Sequence, residues 1–128
     1  MSTINAQNFG NGTDSVPASA VLEGTAKAYG CFDVTATSQK DYNVSSATDD
    51  ATGQQSWSLT NAMSDTVYVT NVEGDDNITR TSVNAVAFED RISTNRTVSS
   101  FTGGMQSSNG SDVDPFTYWL FGVWGDLA

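Results

Sequence analysis

The 128-residue chain carries 15 Asp and Glu against 5 Lys and Arg, a formal net charge of −10 at pH 7, and has no His. Such a charge repels a phosphate backbone instead of releasing its counterions, which argues against nucleic acid as a partner; without His, the Ser/His/Asp and Cys/His routes to an activated nucleophile are closed. The length accommodates one domain, and the abundance of Ser, Thr, Asn, Asp and Gly beside scarce Lys and Leu disfavours a helical bundle and favours a turn-rich all-β protein.

Residues Met1–Gly24 are polar and rich in Gly and Asn, with Phe9, Val16, Pro17, Val21 and Leu22 as sparse apolar anchors. This composition predicts an extended N-terminal arm over residues 1–24 that orders by pairing with a neighbouring chain or docking on another surface. The composition shift at Gly24 places the globular domain in residues 25–128. The start MSTINAQNFG has neither a basic stretch nor an apolar one, so no secretory signal is expected. No apolar run reaches the roughly 18 residues of a membrane span, so no membrane insertion is expected.

The first predicted strand, Ala26–Val34, puts Ala26, Ala28, Gly30 and Phe32 on one face and Lys27, Tyr29, Cys31 and Asp33 on the other. Cys31 is the single cysteine, so no intrachain disulfide framework exists. Between Gly30 and Phe32, and with no His to activate it, it reads as a small buried core residue. The second strand, Gln39–Ser45, sets Tyr42 and Val44 on one face. Thr48–Gly53 is a turn cluster, and Gln54–Leu59 follows with Gln55, Trp57 and Leu59 aligned, so a β-hairpin joins these two strands. Asp65–Asn71 has the clearest half-buried alternation, Thr66, Tyr68 and Thr70 against Val67, Val69 and Asn71, and Glu73–Asp76 turns it. Further strands are predicted at Ser82–Phe88, Thr94–Phe101 and Phe116–Trp124, with Phe101–Asp114 as the longest turn-rich loop and a place for contacts. Short strands at this spacing predict a single antiparallel β-sandwich or jelly-roll-like domain.

The segment Pro115–Trp124 concentrates aromatic residues. Alternation sets Phe116, Tyr118, Leu120 and Gly122 against Thr117, Trp119, Phe121 and Val123, so both faces are apolar. Such a strand is either central in the sandwich or has one face against another subunit. Tyr118, Trp119, Phe121 and Trp124 are the candidate interface residues.

Candidates for chemistry are few. Asp49, Asp50, Glu73, Asp75, Asp76, Asp112 and Asp114 all fall in predicted turns. Paired carboxylates serve glycosidases and oxygen ligands hold calcium, with Asp112-Val113-Asp114 and Gly74-Asp75-Asp76-Asn77 as the nearest approaches. The complete calcium-loop pattern is absent, and turn Asp residues commonly cap backbone amides. No catalytic residue, metal site or cofactor is expected. Triplets of the N-glycosylation type at Asn11, Asn43, Asn77, Asn95 and Asn109 are chance products of a composition this rich in Asn, Ser and Thr.

Four blocks point further: Ala26-Lys27-Ala28-Tyr29, Tyr42-Asn43-Val44-Ser45-Ser46, Thr60-Asn61-Ala62-Met63 and the closing Gly125-Asp126-Leu127-Ala128. The run Ala26–Thr70 containing the first three resembles a module of small virion proteins of tailed bacteriophages, of tail-fibre-like and head-fibre-like type. That module usually carries Trp where Tyr29 stands, and Asp-Tyr-Thr-Val-Asn-Phe around the position of Gln55–Leu59; both departures suit a strand. The resemblance implies a non-enzymatic virion structural protein, made in the host cytoplasm and displayed on the particle exterior as a short fibre or spike. It further implies a homotrimer, with the arm engaging other virion proteins. Two other roles accompany it: a tail-fibre knob binding a host-surface glycan or protein, and a capsid decoration or cement protein. An acidic surface suits solubility at high copy number.

Overall fold

The computed structural model describes residues 7–10, 13, 15–17, 21–22, 24–75, 85–89, 96–107, 109–115 and 117–128, with backbone alone at 9, 16 and 85–89. Alternation of side chains along extended segments yields ten strands: β1 (Asn8–Gly10), β2 (Ser15–Pro17), β3 (Ala28–Asp33), β4 (Ser38–Tyr42), β5 (Val44–Ala51), β6 (Gln54–Leu59), β7 (Val69–Gly74), β8 (Ala85–Glu89), β9 (Ser100–Ser107) and β10 (Tyr118–Trp124). They form two four-stranded antiparallel sheets, β4-β3-β10-β7 and β5-β6-β9-β8, while β1 and β2 pair only with each other. The chain is an all-β sandwich, as expected.

The core lies between the two sheets. Ala28, Phe32, Val72, Trp119, Phe121 and Val123 enter it from the first, and Trp57, Leu59, Phe101 and Met105 from the second. Trp57 of β6 bridges the gap. Its ring sits 4.7 Å from Phe121, 5.3 Å from Phe101, 6.1 Å from Trp119 and 6.4 Å from Phe32. Tilted and edge-on aromatic pairs of this kind add about 0.5–1.5 kcal/mol each to the area they bury. Glycines make the space. A Cβ on Gly103 would lie 2.8 Å from Val72 Cγ1 and 2.9 Å from the Trp57 ring, and one on Gly30 would lie 2.5 Å from the Phe32 ring. Buried Gln55 donates its amide to the Asp33 carbonyl at 3.0 Å, tying the second sheet to the end of β3.

This packing corrects the first half of the turn-rich reading of Phe101–Asp114, while residues 109–114 do lie outside the strands. Phe101–Ser107 belongs to β9, an interior strand paired with both β6 and β8. Gly103 is there because large side chains press on that strand, not because it turns. The single strand expected over Gln39–Ser45 is two. Asn43 takes a left-handed conformation, φ 61°, which breaks the pairing and sends β4 and β5 into different sheets. Most of the turn expected at Thr48–Gly53 is strand β5, and the hairpin turns at Thr52-Gly53, with Gly53 at φ 73°. β7 starts later than the Asp65–Asn71 pattern suggests. Tyr68 is buried while Val67 and Val69 are 86% and 65% exposed, because the Tyr68 hydroxyl donates to the carbonyls of Thr97 (2.8 Å) and Ser100 (3.0 Å). Arg96 secures the same corner, donating to the Tyr68 carbonyl at 2.6 Å with its guanidinium 4.4 Å from the Tyr68 ring centre. Residues 82–84, 94–95 and Phe116, at the starts of three predicted strands, lie outside the described residues.

Candidate functional site

Asn43 gathers four side-chain hydrogen bonds at one corner of the sandwich. Its side-chain amide donates to the carbonyls of Lys27 (3.0 Å) and Asn61 (3.2 Å). Its Oδ1 accepts from the Asn61 backbone (2.7 Å) and side chain (2.9 Å). A left-handed residue next to a strand suits Asn, whose short polar side chain satisfies local backbone groups. The closing segment joins the same corner. Ser64 N–H donates to the Asp126 carbonyl at 2.8 Å, Ala128 N–H to the Ala62 carbonyl at 3.0 Å, and Met63 bridges Leu127. The four resembling blocks, scattered from residue 26 to residue 128, therefore meet at one end of the sandwich. Their hydrogen bonds hold backbone to backbone. An acceptor role for Asn43 in glycosylation conflicts with these bonds; Asn109 likewise accepts from Ser111 N–H at 3.1 Å, and Asn11, Asn77 and Asn95 lie outside the described residues.

Of the carboxylates expected in turns, Asp49 and Asp50 lie instead in β5 and Glu73 in β7, while Asp75 and Asp114 cap backbone amides. Asp75 Oδ1 accepts from the backbone of Thr117 (2.7 Å) and Tyr118 (2.6 Å), fixing the entry to β10. Asp114 Oδ1 accepts from Gly53 N–H at 2.6 Å. Asp112 accepts from Gln106 (3.0 Å), Glu73 from Asn71 (2.9 Å) and Asp50 from Ser56. Asp76 lies outside the described residues. Asp33 Oδ1 accepts from the Thr35 hydroxyl (2.7 Å) and from the backbone of Thr37 and Thr35 (both 2.9 Å). These bonds, the Thr35 hydroxyl foremost, hold its carboxyl below the usual aspartate range. Among the described residues no group of three or more Cys, Asp or Glu is arranged to hold a metal ion.

The outward face of the β4-β3-β10-β7 sheet has a different character. β10 pairs β3 on one side and β7 on the other, so its alternate side chains divide strictly between core and outside. Trp119 and Phe121, only 1% and 6% exposed, are spent on the core of their own chain. This corrects their candidacy for a subunit interface, since a neighbour cannot reach them without opening the sandwich. Tyr118, 37% exposed, and the half-buried Trp124 remain on the outer face. The observed strand is thus central in its sheet and still presents apolar groups outward.

Two cross-strand rows define that face. In one, Glu73, Leu120, Cys31 and Lys40 follow one another across β7, β10, β3 and β4; in the next, Asn71, Gly122, Tyr29 and Tyr42 do. Tyr29 and Tyr42 stack at 5.7 Å with 23° between their rings. The six-membered ring of Trp124 leans over Gly122 so closely that a Cβ there would meet it at 2.5 Å. An open groove of about 450 Å³ on this face is lined by Tyr29 and Trp124 and, among others, by Cys31, Lys40, Glu73 and Leu120. Cys31 is half-buried at this groove, a correction of the core position expected for it. The inward positions of β3 go to Ala28, Gly30 and Phe32, and period-two geometry turns Cys31 outward. The alternations that build the groove were visible in β3 and β10 separately; that the two strands lie side by side was not.

The chain matches no protein-family model, no curated protein and no solved structure.

Proposed function

We propose that this chain is a non-enzymatic structural protein of a tailed-bacteriophage virion, displayed on the particle exterior as a short fibre or spike and assembled as a homotrimer. The observation that supports this reading is the convergence of the four resembling blocks around Asn43. Residues far apart in sequence that join in one hydrogen-bonded corner have a common architectural task, and the resemblance to fibre modules rests on those same residues. In this reading the arm, residues 1–24, fastens the sandwich to other virion proteins. Turn carboxylates engaged with backbone amides fit a structural role.

Antibody against the purified protein, applied to virions and imaged, tests the location. Regular labelling at the particle exterior is expected, and a protein missing from purified particles overturns the reading. Labelling of the head lattice at every capsomer would favour a decoration or cement protein. A second reading, a receptor-binding knob, gains from the exposed aromatic groove and loses the first half of the loop expected to carry it, since Phe101–Ser107 is interior strand.

A further inference from the structure

We infer that the groove on the outer face of the β4-β3-β10-β7 sheet is a binding site for a neutral glycan, with one pyranose ring seated against Tyr29 and Trp124. This goes beyond the virion role and does not rest on it. Four observations lead there. First, two aromatic rings line the groove: Tyr29, 41% exposed and stacked on Tyr42, and Trp124, held over Gly122. Aromatic faces are attracted to the polarised C–H groups of a sugar ring, and side chains with few rotatable bonds lose little entropy on contact. Second, polar groups lie where ring hydroxyls would reach. Lys40 donates, the Glu73 carboxylate accepts, and the Asn71 amide does both. Glu73 is already oriented by the Asn71 amide at 2.9 Å.

Third, the charge of the groove is balanced. Lys40 and Glu73 end the same cross-strand row on opposite sides of Leu120 and Cys31. The chain as a whole carries −10, a field that repels an anionic polymer, so an uncharged ligand with mixed donors and acceptors is the complementary guest. Fourth, the surface is concave. A second copy related by a two-fold axis would bring groove against groove and leave an unfilled space at its centre. A flat, narrow sugar ring fills it.

The molecule supplies its own reporter, because Cys31 is its one cysteine and lies in the groove. The full chain is titrated with maltotriose and, separately, with tri-N-acetylchitotriose. Saturable backbone NMR shifts at Tyr29, Cys31, Leu120 and Trp124 are expected with at least one of them, together with slower reaction of Cys31 with a maleimide. Trp124→Ala and Tyr29→Ala are each expected to weaken binding about tenfold, the scale of one lost aromatic contact, with melting temperature recording that the fold survives. If Trp124→Ala does not fold, Tyr29→Ala decides, since Tyr29 is exposed. No shift with either trisaccharide at millimolar concentration overturns the proposal, as does binding that both variants leave intact. Tighter binding of a uronic-acid trimer overturns the neutral-ligand assignment. Groove shifts that follow protein concentration without any sugar give the groove to a second copy and also overturn it.

Discussion

Asn43 does two jobs that no other residue type combines: it adopts φ 61° and closes four side-chain hydrogen bonds across the corner. Asn43→Ala is expected to cost about 3 kcal/mol, from the left-handed backbone and the lost net hydrogen bonds together. Asn43→Gly should recover about 1 kcal/mol of that, because glycine accepts the conformation but makes none of the bonds. Urea denaturation of the three proteins measures both, and equal stability of Ala and Gly variants would remove the backbone component. Asp33 sets a pH dependence. Its folded carboxyl is held below the usual range by the Thr35 hydroxyl and the amides of Thr37 and Thr35, so the folded state binds its proton less readily than the unfolded chain. The resulting stabilisation is present above the unfolded value, about pH 4, and is lost as pH falls through the folded one. Asp33→Asn should lack this loss, which stability curves collected across that acid window would reveal as a shallower decline.

At the scale of elements, β9 and β10 supply five of the twelve buried core residues among those described. Gly103 in β9 touches Val72 of the opposite sheet and Trp57 of the neighbouring strand. Gly103→Ala is therefore expected to destabilise by about 1–3 kcal/mol through overpacking, whereas an ordinary strand glycine would gain from the same change. Calorimetric melting distinguishes the signs. Strand β10 makes the opposite prediction from that of an interface. With Trp119 packed against Trp57 at 6.1 Å, Trp119→Asp places an unpaired charge in the sandwich and should unfold the chain instead of releasing folded monomers. Circular dichroism with light scattering separates these outcomes. The strands β3, β6 and β10 were legible because their apolar residues alternate with period two. β9 was not, because its pair of glycines, read locally, signals a turn, and only the Trp57 ring and Val72 facing Gly103 explain that position.

For the whole molecule, the arm, residues 1–24, and the sandwich are expected to be separable. β1 and β2 pair with each other and contribute no strand to either four-stranded sheet. Deleting residues 1–24 is expected to leave a cooperatively unfolding domain that no longer enters particles. An unfolded deletion product would make the arm part of the core. Light scattering at micromolar concentration, run on both forms, reports the subunit number, and a monomer in the full-length protein would sink the homotrimer.

The sequence by itself determined the fold class, the inward residues of the alternating strands and the scarcity of catalytic groups, because period two and composition are local properties that survive without knowledge of neighbours. It also displayed the four blocks, though not their meeting. Their convergence on Asn43, the break that splits one predicted strand between two sheets, the interior place of Phe101–Ser107 and the outward turn of Cys31 were decided by tertiary structure alone. Each depends on which strands become neighbours, and strand order is set by long-range pairing and by the fit of Trp57 against Gly103, more than forty residues away in β9, a relation that no local window contains. The candidate groove belongs to the same category, for its two walls come from strands joined only when the last segment of the chain inserts between β3 and β7.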